Sequence, residues 1–193
     1  AGSSKGKILP VERFIKSFEE QSLKLADSVF GQTVSGKWVY QSEVIDYVEE
    51  DLFMAPDLST IRKIPWNKEP TAQIICDLNY SSNEPSKLAP RQVLKNIIQQ
   101  LKEAELKAVV APELEFYLCE QNLDPDLPLK TPIGKSGRRE TGSRVFGIDA
   151  VNEFDKLTDD IYDYCEMMNI GVDTLVHESG PSQIEINLNH GDP

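Results

Sequence analysis

Val11, Phe14, Ile15 and Phe18 recur at i, i+3, i+4 and i+7, the spacing of one face of an α-helix, and Pro10 stands where a proline readily opens one. From Ser28 to Tyr47 the chain mixes Val, Phe, Trp and Tyr with Gly31 and Gly36, which predicts short strands joined by turns. Pro56, Pro65 and Pro70 punctuate an extended region, and residues 71–78 read as a buried strand. The polar run Asn79–Lys87 is the best candidate boundary, dividing the chain into segments 1–83 and 84–193. Pro90 then begins a second helix, with Val93, Leu94, Ile97, Ile98 and Leu101 at helical spacing. Residues 106–118 look like a strand. Residues 121–147, broken by Pro125, Pro128, Pro132 and four glycines, look like a long loop or hairpin. Phe154, Leu157, Ile161, Tyr164, Cys165 and Met168 mark another helix, and a final strand runs from about Ser182 to Asn189. Helix, strand, helix, strand in this half predicts a mixed α+β or α/β layer.

Charge narrows the function classes. Thirty-two acids against 20 Lys and Arg leave a formal charge of −12, the wrong sign for neutralising phosphates on nucleic acid or docking on anionic membranes. No apolar run approaches a spanning segment, and the start lacks the apolar stretch of a secretory signal. Cys76, Cys119 and Cys165 have no paired spacing, which fits a reducing compartment. A soluble, cytoplasmic protein is expected.

The chemistry concentrates in two strand segments. Side chains alternate across a strand, so in Glu113-Leu114-Glu115-Phe116 the two glutamates share a face. In the segment 183–189, Ile184, Ile186 and Leu188 face a core while Gln183, Glu185, Asn187 and Asn189 face the other way. Glu178 precedes that strand across Ser179-Gly180-Pro181-Ser182, a turn-rich link that points it back towards Glu185. Such alternation also describes a sheet with one face in water. Against that reading, Glu113 and Glu115 interrupt an otherwise apolar run expected to be a central strand. Acids held together away from water stay ionised only beside cations, and these strands offer no matching Lys or Arg. Carboxylates without thiolates or paired imidazoles favour hard ions, Mg²⁺ or Mn²⁺, whose shells are commonly completed by water and phosphate. Phosphoryl transfer follows as the reaction class.

Other motifs carry less. Gly134-Lys135-Ser136 resembles the end of a phosphate-binding loop, but Leu129 occupies the position that needs glycine. Lys130, Lys135, Arg138, Arg139 and Arg144 form the one basic cluster and read as a solvated hairpin tip. His177 and His190 flank the last strand, each a ligand or a structural histidine.

Taken together, the segments Pro112-Glu113-Leu114-Glu115-Phe116, residues 177–187 and Gly191-Asp192-Pro193 resemble the glutamine synthetase family. Gly6-Lys7, residues 56–66 and residues 147–155 support the resemblance, which covers essentially the whole chain. It implies an α+β architecture: a small N-terminal β-grasp domain over 1–83, then the first part of the α/β catalytic domain over 84–193. It also implies ATP-dependent joining of an amine to the γ-carboxylate of glutamate through γ-glutamyl phosphate. By motif position Glu115, Glu178 and Glu185 would hold one Mg²⁺ or Mn²⁺, Glu113 would belong to a second, and Asp173 would lie near the nucleotide. Family members assemble into rings, so a homo-oligomer is implied for a full-length chain.

The resemblance has three departures. Enzymes of the family that use ammonia have a Phe-Asp-Gly-Ser-Ser element whose Asp binds ammonium; here residues 29–36 read Val-Phe-Gly-Gln-Thr-Val-Ser-Gly, without an Asp. That favours the branch that glutamylates putrescine or other polyamines over ammonia. Ser182 stands where the family often has Gly or Ala. The family also continues well beyond the position of Pro193, which implies a truncated chain that does not turn over alone. The alternatives are glutamate–ammonia ligase proper, and a non-catalytic relative that serves assembly or regulation.

Overall fold

A computed structural model describes residues 4–39, 50–81 and 84–193. These fall into two compact units, one of residues 1–62 with 72–107 and one of residues 63–71 with 108–193. Both mix helix and sheet, in agreement with the α+β expectation.

In the first unit, helix α1 spans Val11–Glu19 with Pro10 immediately before it. Its apolar stripe is largely exposed: the buried residue of α1 is Ser17. A four-stranded sheet follows in the order β1-β2-β3-β4, from Lys24–Ala26, Asp51–Lys63, Ala72–Ser81 and Glu84–Pro85. The expected short strands and turns beyond Ser28 are a 3₁₀ turn at Asp27–Gly31 and a Gln32–Trp38 bridge, closed where Gly36 takes φ +78°. Residues 40–47 of that expectation lie outside the described residues. Pro56 interrupts no pairing with β1, whose register ends against Asp51–Phe53. Strand β3 is half-buried rather than buried, with Ile75 half exposed. The polar run after Leu78 forms the end of β3 and the short β4.

Helix α2, Pro90–Glu103, is tied to this sheet by charge more than by its apolar stripe. Arg91 donates to Asp57 of β2 at 2.8 Å and to Asp77 of β3 at 3.0 Å, and Lys95 reaches Asp77 at 2.5 Å. Ser59 donates its hydroxyl and its backbone N–H to Asp57. Hydrogen bonding from Ser59, then from Arg91, holds the Asp57 carboxyl down at about 2.

The second unit carries a three-stranded antiparallel sheet, β5-β7-β6, from Glu113–Tyr117, Gln183–Leu188 and Val172–His177. Short helix α3, Ile148–Asn152, and α4, Asp155–Met167, pack against β6. Its buried residues include Ala150, Thr158, Met168, His177 and Ile184. Trp66 belongs to this unit, its ring 5.7 Å from that of Tyr164 on α4. Residues 121–147 form the expected irregular hairpin, with Ile133 bridged to Arg139 around Gly137 at φ +77°. Among the described residues no helix is long and apolar enough to cross a membrane.

A depressed carboxyl pKa in the folded state adds stability at pH values above the ordinary carboxyl value of 3.8 and gives it up as pH falls towards 2. Carbon-detected NMR titration should therefore show Asp57 titrating lowest in the wild type, higher in Arg91→Ala and highest in Ser59→Ala. An unchanged Asp57 titration in both variants would contradict the described network.

Candidate functional site: an acidic face on the second sheet

Strand β5 pairs with β7 so that Glu113 lies opposite Asn187, Glu115 opposite Glu185 and Tyr117 opposite Gln183. Directly opposed residues share a sheet face, so Glu113, Glu115 and Glu185 lie on one side. The other side takes Leu114, Phe116, Ile184 and Ile186, with Ile184 completely buried. Both ends of the pairing are locked by backbone bonds. Leu118 N–H donates to Ser182 C=O at 2.9 Å, and Val110 and Gly191 exchange bonds of 2.9 and 2.8 Å.

Glu178 arrives as the link between β6 and β7 implied. Val176 is opposite Glu185, and the Glu178 N–H donates to the Gln183 carbonyl at 2.8 Å. Two residues beyond Val176, Glu178 continues the row on the Glu185 face. Asp173 stands apart from this row. It falls at a bulge, where Val172 pairs with Leu188 and Thr174 with Asn187, so Asp173 has no partner in the register and is exposed.

One premise of the sequence reading is corrected. The acids of β5 do not interrupt a central strand: β5 is the outer strand of β5-β7-β6, and Glu113 and Glu115 are exposed. Sheet order, which the local sequence does not encode, is the reason. Their proximity, rather than desolvation, is what bears on chemistry here. Glu115 and Glu185 are like charges in direct opposition, an unfavourable pair in a sheet. Two neutral amides face these carboxylates. Gln183 Nε2 donates to Glu115 Oε2 at 2.6 Å, and Asn187 Nδ2 donates to Glu185 Oε1 at 2.9 Å. Gln183 is fixed in turn by the Gly180 N–H, which donates to its Oε1 at 2.8 Å.

The donor set fits a hard divalent cation in chemistry and in strand position: carboxylate oxygens on one face, no thiolate, and neutral amides as their partners. The side chains themselves do not close on one point, and among the described residues no group of three or more His, Cys, Asp or Glu is gathered as a metal site. A cavity of about 470 Å³ lies elsewhere in this unit, lined by Arg138, Arg139, Glu140 and Arg144 of the basic hairpin among others. The hairpin is not a row of free cations. Arg139 pairs with Glu120, Arg144 with Asp149 and Lys135 with Asp155.

Sequence reasoning missed two participants, Gln183 as the partner of Glu115, and Glu140. Gln183 was legible as a residue on the acidic face. Glu140 had no signal, since its partner His177 lies 37 positions away.

The sequence profile of the glutamine synthetase catalytic domain matches residues 87–193. The chain belongs to the glutamine synthetase family. It is 31% identical to the gamma-glutamylputrescine synthetase of Escherichia coli over 193 residues, covering 99% of this chain and 40% of that protein. It is 27% identical to a glutamate–isopropylamine ligase of a Pseudomonas species, covering 99% of this chain and 41% of that one. A crystal structure of a novel glutamine synthase homolog superposes with a TM-score of 0.74 at 16% identity, over 97% of this chain and 40% of that one. The chain thus spans about two fifths of the length of the relatives it matches.

If Glu115 and Glu185 repel across the sheet, Glu185→Gln should stabilise the chain in metal-free, low-salt buffer by about 0.5 kcal/mol, with the gain shrinking at high salt. Urea denaturation measures it. Destabilisation by this substitution would show that the opposition is not unfavourable.

Proposed function

We propose that this chain carries the metal-holding half of the active site of an ATP-dependent ligase that joins an amine to the γ-carboxylate of glutamate via γ-glutamyl phosphate. The observation that supports it most is the direct opposition of Glu115 and Glu185, with Glu178 returned to the same row by the β6–β7 turn. Glu115, Glu178 and Glu185 would hold one Mg²⁺ or Mn²⁺, and Glu113, on the same face beside Asn187, would belong to a second. Bound there, the cations would supply charge neutralisation for phosphoryl transfer from ATP. The residues' own part is to present carboxylate oxygens from two paired strands and a turn, positions that backbone hydrogen bonds set in advance. Gln183 and Asn187 cap those oxygens with neutral donors and do not oppose a cation with charge of their own. Asp173 is proposed as a nucleotide neighbour on the strength of the motif alone. A β-grasp segment over 1–83 and a catalytic portion over 84–193 belong to the same proposal, supported by the catalytic-domain match that begins at residue 87. In space, α2 nevertheless groups with the first sheet.

For the acceptor we favour putrescine or another alkyl amine over ammonia. Residues 29–36 carry no acid to bind ammonium, and the relatives described above include a gamma-glutamylputrescine synthetase and a glutamate–isopropylamine ligase. A homo-oligomer and a cytoplasmic location complete the proposal.

Calorimetric titration with Mn²⁺ tests the metal reading. The wild-type chain should bind, and Glu115→Ala should weaken binding by at least about tenfold, because affinity follows the charge count of the ligand set. A silent titration would sink the metal reading and favour the non-catalytic alternative. ATP- and glutamate-dependent phosphate release by a protein carrying this chain should be greater with putrescine than with ammonia; the reverse would move the assignment to glutamate–ammonia ligase.

A further inference from the structure

We infer that Glu140 and His177 are positioning residues for Glu178, forming a buried clamp that fixes the turn between β6 and β7; this rests on the acid-face reading above. His177 is 1% exposed and sits on the face opposite the acids, across from Ile184. Both of its ring nitrogens are engaged. Nδ1 lies 2.8 Å from the carbonyl oxygen of Glu178, which can only accept, so Nδ1 donates. Nε2 lies 2.8 Å from Glu140 Oε2. That same carboxylate oxygen accepts the Ser182 N–H at 2.5 Å. One atom of Glu140, brought in from the basic hairpin, therefore ties down both ends of the connection in which Glu178 stands.

The connection is costly to hold. Ser182 is fully buried at φ +57°, a region that disfavours a residue with a Cβ. Glu140 Oε1 and Ser182 Oγ are buried without a hydrogen-bond partner, a burden native interiors seldom carry. Strain and unpartnered polar atoms gathered at one turn are expected where geometry is being enforced. The neighbour they enforce is Glu178, whose backbone is held at both polar groups, by His177 at its carbonyl and by the Gln183 carbonyl at its N–H. An apolar pair would fill the same space but leave the carbonyl of Glu178 free to rotate. Outer partners that orient a ligand in this way typically account for ten- to a hundredfold of metal affinity.

The test pairs Mn²⁺ binding, read from the electron paramagnetic resonance signal of free Mn²⁺, with amide hydrogen exchange over residues 178–183. Glu140→Ala and His177→Ala should each weaken Mn²⁺ binding about tenfold and speed exchange of the Ser182 amide. His177→Asn, which keeps a donor for the Glu178 carbonyl, should recover most of the affinity. Should either alanine variant fail to fold, His177→Phe carries the test: it fills the place of the imidazole, offers the Glu178 carbonyl no donor, and should weaken Mn²⁺ binding to the same extent. Folded Glu140→Ala and His177→Ala proteins, or His177→Phe in their place, that bind Mn²⁺ like the wild type, whatever their melting temperature, would overturn the clamp. Wild type that binds no Mn²⁺, with Ser182 exchange still accelerated in the variants, would remove the metal reading and leave the clamp standing. Unchanged exchange would overturn the clamp itself.

Discussion

The antiparallel register of β5 on β7 is the constraint from which the site follows. Because a strand's side chains alternate, a slip of one residue would turn Glu115 to the apolar face and bring Leu114 or Phe116 into its place. The register is fixed from both sides of the sheet. Ile184, fully buried and opposite Phe116, fixes the apolar side, and the Leu118–Ser182 and Val110–Gly191 bonds close the ladder beyond both ends of the strands. Glu115 has no freedom to avoid Glu185 except by rotating its own side chain. The sheet thus sets two glutamates in direct opposition on its acidic face, an arrangement that stability alone disfavours and that the proposed divalent cation would offset.

Second to the register comes the turn. A strand pair can hold Glu115 and Glu185, but a third carboxylate on the same row needs the chain to reverse with a defined pitch. Ser179 to Ser182 does so with a left-handed serine, the Gly180 N–H bonded to Gln183, and Glu140 beneath. The acidic face and the buried face of this sheet are therefore linked through backbone: Glu178 looks one way while its carbonyl is held from the other by His177.

Much of this was legible in the sequence because periodicity survives packing. The helical stripes from Val11, from Val93 and from Phe154 each correspond to a helix, and the alternation in residues 183–188 gave β7 with its faces assigned. What failed was non-local or short. Strand β6 was not read because Asp173, at its bulge, breaks the alternation, and α3 is only five residues long, too short for a period to appear. That β5 is an outer strand is a property of sheet order, which no local pattern carries. The apolar stripes of α1 and α2 predicted buried faces, yet Val11, Ile15, Val93 and Ile97 are exposed, and α2 is held to its sheet by Arg91 and Lys95 instead. Within the site, the shared face of Glu113, Glu115 and Glu185 was predictable from alternation. The capping amides and the Glu140 clamp depend on residues far apart in the chain.

The most direct measurement of the central claim is paramagnetic broadening of amide NMR signals by substoichiometric Mn²⁺. If the paired strands gather their carboxylates around one cation, signals of residues 113–117, 177–179 and 183–187 should be lost first. Those around Asp51, Asp57 and Asp77 of the first sheet should not be lost ahead of them. Broadening that begins at the first sheet, or spreads evenly over the acidic surface, would contradict a site built by the register of β5 on β7.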